Sequence, residues 1–400
     1  MAAVHNIPLD QSQAGLVSGA VAFQLTSKSR ADRLVRIDSV WEVELRRECA
    51  VIVARTLSSF SPDNLLDDGI DATHRALDLL SVETQEHLST RAPASHYIMF
   101  SRDTVPTVLR HCDVCDFPIE VSVGIEVRRA DGTIETQPIP PTASWTPSFR
   151  FYRLAQSSPD LFDAYRNMFL ALEALLDKLF PKLQREGEKA WLRRSATSAS
   201  SANLSSLARP GMTSAEQIVD YLYDVRIQLF HAKTGRTLIP NERVSYTAVA
   251  NAYPILVGLW TEIVRAYLFT GRGVGIVTRQ GFKLMMEKAF HVATLAVSSD
   301  QTPPNASDAS VSPLGQAFAA LAEGQELRET RAGYMCLRAG ATVASLPTGQ
   351  SIGRIAVLIG EQVVLASGIE GGLTLGGVDV FETQLTLRLV NRGLPSTDFL

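Results

Sequence analysis

The chain has 400 residues, more than one hydrophobic core normally serves, so two or three domains are expected. Its composition, 46% hydrophobic and 20% charged, excludes a disordered chain. A formal net charge of -4 argues against a protein that coats DNA, because such a protein needs a strong basic excess to displace counterions, but it leaves room for a local basic patch.

Residues 1–150 have the pattern of an α+β domain. Apolar and charged residues alternate at 41–45, as in a half-buried strand, and 50–54 is a continuous β-branched run. A helix is expected over 70–80. The turn signal at Ala130-Asp131-Gly132 predicts a hairpin, and the proline-rich run 138–141 predicts the end of the domain.

Residues 151–297 change to a helical period. Helices are expected from Pro159 to Pro181, over 188–196, from Thr213 or Ser214 with Glu216 in a capping box, and over 242–269 with a kink at Pro254. A fifth is expected over 282–297. Short or flexible connections between such helices favour a four-to-five-helix bundle.

Residues 298–312 are rich in Ser, Pro and Asp and predict a linker. After a short helix near 314–322, residues 334–390 carry Val, Ile, Leu and Gly at turn spacing, which predicts a mainly β domain over 313–400. The expected fold class is therefore multi-domain α+β, with an N-terminal α+β domain, a central helical bundle and a small C-terminal all-β domain.

The N-terminal sequence and the cysteine content favour a cytoplasmic location. The N-terminal residues 1–6 lack the positive charge that precedes the apolar stretch of a secretory signal. Four cysteines are too few for a disulfide framework and suit a reducing compartment. The uncharged run 245–261 is interrupted by Asn251 and Pro254 and is shorter than the roughly 20 apolar residues that span a bilayer. We expect a buried helix there and no membrane association.

The most informative motif is Arg-x4-His, at Arg226 and His231. On an uninterrupted helix these residues lie about 140° apart and cannot act on one point. The motif therefore requires the helix to end between Leu229 and His231, and Gly235 supports such an end. Lys233 and Arg236 follow, where they could attract phosphate or complement the helix dipole.

This segment resembles the Arg-x4-6-His motif of the HEPN superfamily, whose members are helical bundles that often form dimers. Many of them are metal-independent endoribonucleases. The resemblance implies that His231 is an acid or base for the ribose 2′-hydroxyl and that Arg226 clamps the phosphate, without a metal or other cofactor. It also implies a homodimer acting on RNA, with Lys233 and Arg236 as substrate-binding residues. Ile227 departs from the family, since active members usually carry a polar residue there.

A wider stretch, roughly 75–270, is similar to proteins labelled methylamine-utilisation MauJ. The similarity rests on the runs 152–156, 162–167, 191–194 and 229–233. It implies context rather than mechanism, because the activity of that family is poorly defined. Glu173 and Asn167 lie on the first predicted helix of this stretch, where they could face the site or serve packing.

A second functional hypothesis remains open: a catalytically inactive dimerisation or docking protein of the same kind that binds a protein or a small ligand. Ile227 and the acidic net charge favour it. A third, zinc-stabilised sensor would use the Cys-x2-Cys step Cys112 and Cys115. Because no second Cys pair exists, Cys49, His74, His96 or His111 would have to complete the site, and two ordinary thiols near a strand end are favoured.

Overall fold

A computed structural model describes most of the chain. The described residues are 1–61, 63–102, 106–119, 130–133, 144–231, 237–240, 242–268, 277–300, 318–321, 323–346, 351–360, 362–391 and 395–399. They form two compact units. The first contains Met1–Pro118 and Val277–Val390, and the second contains Ile119–Ile276 and Asn391–Phe399.

The described elements alternate between strand-rich and helix-rich stretches. The strands are β1 Ala2–Val4, β2 Ile7–Pro8, β3 Gln11–Ser12, β4 Gly15–Leu16, β5 Gly19–Gln24, β6 Arg33–Ile37, β7 Trp41–Leu45, β8 Val51–Thr56, β9 Tyr97–Ser101, β10 Val108–Ile119, β11 Ala293–Ser298, β12 Ala319–Ala320, β13 Glu323–Arg331, β14 Tyr334–Thr342, β15 Ser351–Ile359, β16 Gln362–Leu375 and β17 Val380–Asn391. The helices are α1 Leu65–Thr84, α2 Pro147–Ser157, α3 Leu161–Leu179, α4 Glu188–Ser198, α5 Ala215–Phe230, α6 Arg243–Leu268 and α7 Arg279–Phe290.

The first unit is built on a nine-stranded sheet that combines both ends of the chain. Its strand order is β13-β14-β17-β10-β9-β5-β8-β7-β6. The neighbouring strands β9 and β10 are antiparallel, with Ile98 opposite His111, and β14 and β17 are antiparallel as well. A six-stranded sheet has the order β12-β11-β15-β16-β1-β2 and likewise joins the N-terminus to the C-terminal part.

The predicted fold class is therefore wrong. Strands that we assigned to separate N-terminal α+β and C-terminal all-β domains share both large sheets, and the described residues do not show a central helical bundle as the organising feature. The protein is α+β, with seven described helices and large sheets that are mainly antiparallel, except that the neighbouring strands β10 and β17 run parallel. The reason for the error is physical: hydrophobic period assigns an element and its buried face, but it does not identify the neighbouring strand.

The two faces of the nine-stranded sheet are covered differently. Val21, Phe23 and other alternate residues pack against α1 in one apolar core. The opposite face contacts the six-stranded sheet: the Ser367 Oγ donates to Asp113 Oδ2 at 2.6 Å, and Arg55 Nε donates to the Pro8 carbonyl at 2.7 Å. This inner face contains charged as well as apolar side chains.

The second unit has one apolar core, to which helices α2 to α6 contribute. The Ser148 Oγ donates to the Ala171 carbonyl at 2.7 Å and accepts from Trp260 Nε1 at 2.7 Å, which ties α2 to α3 and α6. The Tyr165 hydroxyl donates to the Leu222 carbonyl at 2.8 Å, which ties α3 to α5. Every buried polar group in these contacts has a partner, as a stable interior requires.

Several elements differ from expectation at their ends or in type. α2 was not predicted, and the expected fifth helix over 282–297 ends at Phe290 and gives way to β11. The short helix expected near 314–322 is a strand where it is described, at Ala319–Ala320. Ala130-Asp131-Gly132 forms a turn with Gly132 at φ 84°, while both expected hairpin strands lie almost wholly outside the described residues, as does most of the expected linker.

One described helix, α6, is long and apolar enough to cross a membrane by length and composition. In its most apolar window, 56% of the residues are buried within the protein. Pro254 lies inside this helix, as expected. A buried core helix has the same composition, so α6 does not by itself indicate a membrane.

Arg55 carries a buried ion-pair network on the inner face of the nine-stranded sheet. Its side chain is 1% exposed and binds Glu42 at 3.1 Å and also Glu44, and Glu42 is fully buried. Removing the Arg55 cation would leave the buried Glu42 with only one described compensating charge, the largely exposed Arg36, 3.9 Å away. Removing one partner of a buried ion pair typically lowers the free energy of unfolding by about 3–5 kcal/mol.

We therefore expect Arg55→Met to lower the free energy of unfolding by about 3–5 kcal/mol in urea denaturation. Arg46→Met is the matched control, because Arg46 binds Glu44 but is 40% exposed, and its loss should cost about 1 kcal/mol or less. Adding Glu42→Gln to Arg55→Met should restore part of the loss. An Arg55→Met protein as stable as the parent would contradict this assignment.

Candidate functional site

The two residues of the Arg-x4-His motif lie at the end of α5. Ser214 caps the start of this helix, with Gln217 rather than Glu216 completing the capping box. The helix ends at Phe230, as the motif requires, and the exposed His231 is its extended C-cap residue. Lys233 and Arg236, the predicted substrate-binding residues, lie outside the described residues.

Arg226 is already bound by protein groups. Its guanidinium is 3.0 Å from Glu188 Oε1 and 3.7 Å from Glu173 Oε1, and its side chain is 16% exposed. It also lies over aromatic rings, of which Phe230 is nearest at 4.9 Å from the ring centroid. A phosphate would have to approach an arginine that two carboxylates already neutralise. No described contact joins Arg226 to His231.

Glu173 and Glu188 form a carboxyl pair between α3 and the start of α4. Burial, together with the hydrogen bond to Glu188, raises the pKa of Glu173 to about 7, although Arg226 acts in the opposite direction. The Tyr223 hydroxyl donates to Glu188 at 3.2 Å and favours its ionised form. At neutral pH Glu188 is ionised and Glu173 only partly so, and the pair therefore carries between one and two negative charges, of which Arg226 balances one.

The raised pKa of Glu173 makes a pH prediction with a definite sign. The folded state holds this proton more tightly than the unfolded state, where the pKa is near its ordinary value of 4.5, so stability falls as the pH rises from there to about 7. Glu173→Gln should change stability little at pH 5 and raise it by roughly 1 to 3 kcal/mol at pH 8.

Urea unfolding at the two pH values measures this difference. Glu262→Gln is the control. Glu262 forms an ion pair with Arg265, one turn further along α6, and this pair does not include a second carboxylate. A Glu173→Gln effect of equal size at both pH values would rule out a protonated Glu173.

The first unit contains a cavity of about 670 Å³ between its two sheets. This volume lies in the range of about 300–1,000 Å³ that small-molecule sites occupy. Its wall combines apolar and small residues with polar ones. The polar and sulfur-containing residues along the wall are Gln24, Arg91, His96, Tyr97, His111, Cys112, Asp113, Cys115, Ser367 and Glu370.

Asp113, on β10, is the centre of the polar wall. Its Oδ1 contacts the Nδ1 of His96, and its Oδ2 accepts the 2.6 Å hydrogen bond from Ser367. Burial acts to raise the pKa of Asp113, but these hydrogen bonds and the nearby imidazoles outweigh burial and lower it to about 2. Asp113 is therefore ionised at neutral pH and orients His96 through one ring nitrogen.

His111 lies two residues before Asp113 on β10, so its side chain is on the same face of the strand. Its Nδ1 is 3.2 Å from the Thr383 hydroxyl of β17. Burial lowers the pKa of His111 to about 4, despite the opposing charge of Asp113, so this imidazole is neutral at pH 7. The cavity thus holds two imidazoles with different environments.

The cysteine pair does not have the geometry of a zinc half-site. Cys112 and Cys115 are three residues apart on β10, and side chains at this spacing point to opposite faces of a strand. Burial raises the pKa of Cys112 to about 11 and also raises that of Cys115, which favours thiols over metal-binding thiolates. Within the described part of the chain, no group of three or more His, Cys, Asp or Glu side chains could hold a metal.

The sequence analysis identified some of the cavity-lining residues, but as candidate zinc ligands. It grouped His96 and His111 with the cysteines as zinc ligands, and it gave no role to Ser367 or Thr383. Hydrogen bonds join β10 to these two residues across 254 and 272 positions of the chain, so no local motif could reveal them.

A scan against protein-family models and searches of curated proteins and of solved structures gave no match to this chain. The resemblances to the HEPN superfamily and to MauJ-type proteins stay predictions. The function is therefore argued from the geometry of the two sites.

Proposed function

We propose that this chain is a small-ligand-binding protein and that its ligand occupies the cavity between the two sheets of the first unit. Of the two partners that the docking hypothesis of the sequence analysis left open, a protein or a small ligand, this proposal takes the small ligand. The observation that carries it is a cavity of about 670 Å³ whose wall contains an ionised Asp113 and two oriented imidazoles. Buried polar groups that converge on a space of this size are typical of ligand sites.

The composition of the wall indicates a small polar organic ligand. Ala22, Ile98 and other apolar groups would exclude water around it, while His96, His111 and Ser367 can donate or accept hydrogen bonds. The Arg91 guanidinium has no ion-pair partner among the described residues and is exposed, so it can attract an anionic group of the ligand.

Filling the cavity tests this proposal. Ala22 lies on β5, is 2% exposed and contributes to the cavity wall, so Ala22→Leu should place added methyl groups in the ligand space. We expect at least about tenfold weaker binding, or about 1.4 kcal/mol, by calorimetry with a panel of small organic acids, ketones, amino acids and sugars.

Ala320→Leu, on the exposed edge strand β12, is the matched control and should bind as the parent does. The proposal is wrong if no member of the panel binds the parent protein, or if Ala22→Leu leaves the binding constant unchanged.

A metal-independent endoribonuclease acting on RNA as a homodimer is a second proposal. The end of α5 at Phe230 favours it, because the helix stops where the Arg226 and His231 motif requires. The carboxylates around Arg226 argue against it, since they reduce the charge available to a phosphate.

The second proposal predicts that purified protein cleaves cellular RNA in the presence of a chelator and leaves 2′,3′-cyclic phosphate ends. His231→Ala should abolish this cleavage, because the acid or base is lost. His291→Ala is the matched control: His291 is also an exposed C-cap residue that follows a phenylalanine at a helix end. Intact RNA with the parent protein, or equal cleavage by His231→Ala, would end the proposal.

A further inference from the structure

We propose that the cavity also catalyses proton transfer on its ligand, a carbonyl compound with a hydrogen on the carbon next to the carbonyl group. His96 is the general base, and His111 donates a hydrogen bond to the carbonyl oxygen. This inference rests on the proposed ligand-binding function, because the substrate would occupy the same cavity.

His96 has the arrangement of a base oriented by a carboxylate. Its Nδ1 contacts Asp113 Oδ1, which favours the tautomer with the proton on Nδ1 and leaves the lone pair on Nε2. No described residue forms a hydrogen bond with Nε2, and His96 is part of the cavity wall. When Nε2 accepts a proton, the negative charge of Asp113 stabilises the imidazolium.

His111 has the arrangement of a neutral donor. The Thr383 hydroxyl can donate to its Nδ1 at 3.2 Å, which places the remaining proton on Nε2. The side chain is 8% exposed, and burial keeps it uncharged at pH 7 by lowering its pKa to about 4. A neutral imidazole can polarise a carbonyl oxygen without first losing a proton.

The described polar groups around the cavity do not include an activated nucleophile. The Ser367 hydroxyl donates to Asp113 and contacts neither imidazole, so no base removes its proton. Cys112 and Cys115 have raised pKa values and stay thiols at neutral pH. Two imidazoles with separate roles and no nucleophile favour proton transfer over covalent catalysis.

The chemical step is balanced without a further reactant. His96 Nε2 takes the proton from the carbon next to the carbonyl, and the C–H electron pair forms a carbon–carbon double bond. The carbonyl π pair moves to oxygen, and the enolate oxygen accepts the hydrogen bond from His111 Nε2. Return of a proton from His96 to carbon restores a carbonyl compound, with exchange of that hydrogen for solvent or with isomerisation.

Hydrogen exchange in D2O tests the step directly. The full chain is incubated with 2-oxobutyrate or with hydroxyacetone, and the loss of the carbon-bound proton signal is followed by NMR, while calorimetry measures binding of the same compounds. We expect saturable exchange by the parent protein with at least one of them. His96→Gln keeps a side chain that can hydrogen bond to Asp113 but lacks the base, and it should slow exchange at saturation by about 10²–10⁴-fold.

Asp113 is a positioning residue, and its test separates rate from binding. Asp113→Asn should lower the exchange rate at saturation while the half-saturating concentration changes little, because the imidazolium loses its counter-charge. Asp71→Asn is the matched control, since it makes the same substitution at a half-exposed carboxylate of α1 that pairs with Arg75 and does not line the cavity. Its exchange rate should stay close to that of the parent.

The outcomes distinguish this inference from the proposed function. Binding of either compound without exchange would overturn the catalytic role and leave ligand binding standing. Exchange that His96→Gln does not reduce, at an unchanged thermal midpoint, would overturn it as well. If neither compound binds, the carbonyl substrate class is wrong, and the ligand panel with Ala22→Leu decides the proposed function separately.

Discussion

The pairing of β10 with β17 is the interaction on which the cavity depends. It joins segments 272 residues apart, and side-chain contacts follow the two strands along their length: Arg110 with Glu382, His111 with Thr383, and Asp116 with Arg388. These contacts hold the strand that carries Asp113 and His111. Long-range pairing of this kind carries a loop-closure cost in entropy, so the apolar burial of the whole unit must stabilise it.

The buried charges explain why a cavity persists between two sheets that could have packed closely. In an apolar sandwich the inner side chains interdigitate to form the core. Here the inner face carries Arg55, Glu42 and Asp113, together with small residues such as Ala22, and each charged group is held at a fixed place by an ion-pair partner. Side chains held by directional contacts cannot move to fill the space, because moving would leave a buried charge without its partner.

The sequence predicted the local elements where the hydrophobic period was strong. The stripe in α3, the length of α6 with its internal Pro254 and the strand β7 follow from spacing alone. Pairing was not predictable, because period gives the buried face of a strand and not its neighbour. The alternation in β7 also predicted a solvent-facing side for Glu42, which is instead fully buried because Arg55 supplies the opposite charge. His96 and His111 were recognised as residue types suited to a site, but their chemistry depends on Asp113, Thr383 and strand parity, which only the fold determines.

The two candidate sites differ in what they leave available to a ligand. Around Arg226, the guanidinium pairs with Glu188 and lies over aromatic rings within the second unit, although Arg226 Nε and Glu173 Oε1 are buried without a hydrogen-bond partner among the described residues. In the cavity, the contacts of His96 and His111 each use one ring nitrogen and leave the other without a described partner. A polar atom in a partly dry space gains most from a new hydrogen bond, because water competes poorly for it there. The neutralised charge of Arg226 and these available ring nitrogens of the cavity favour the cavity over the end of α5 as the site of the proposed ligand.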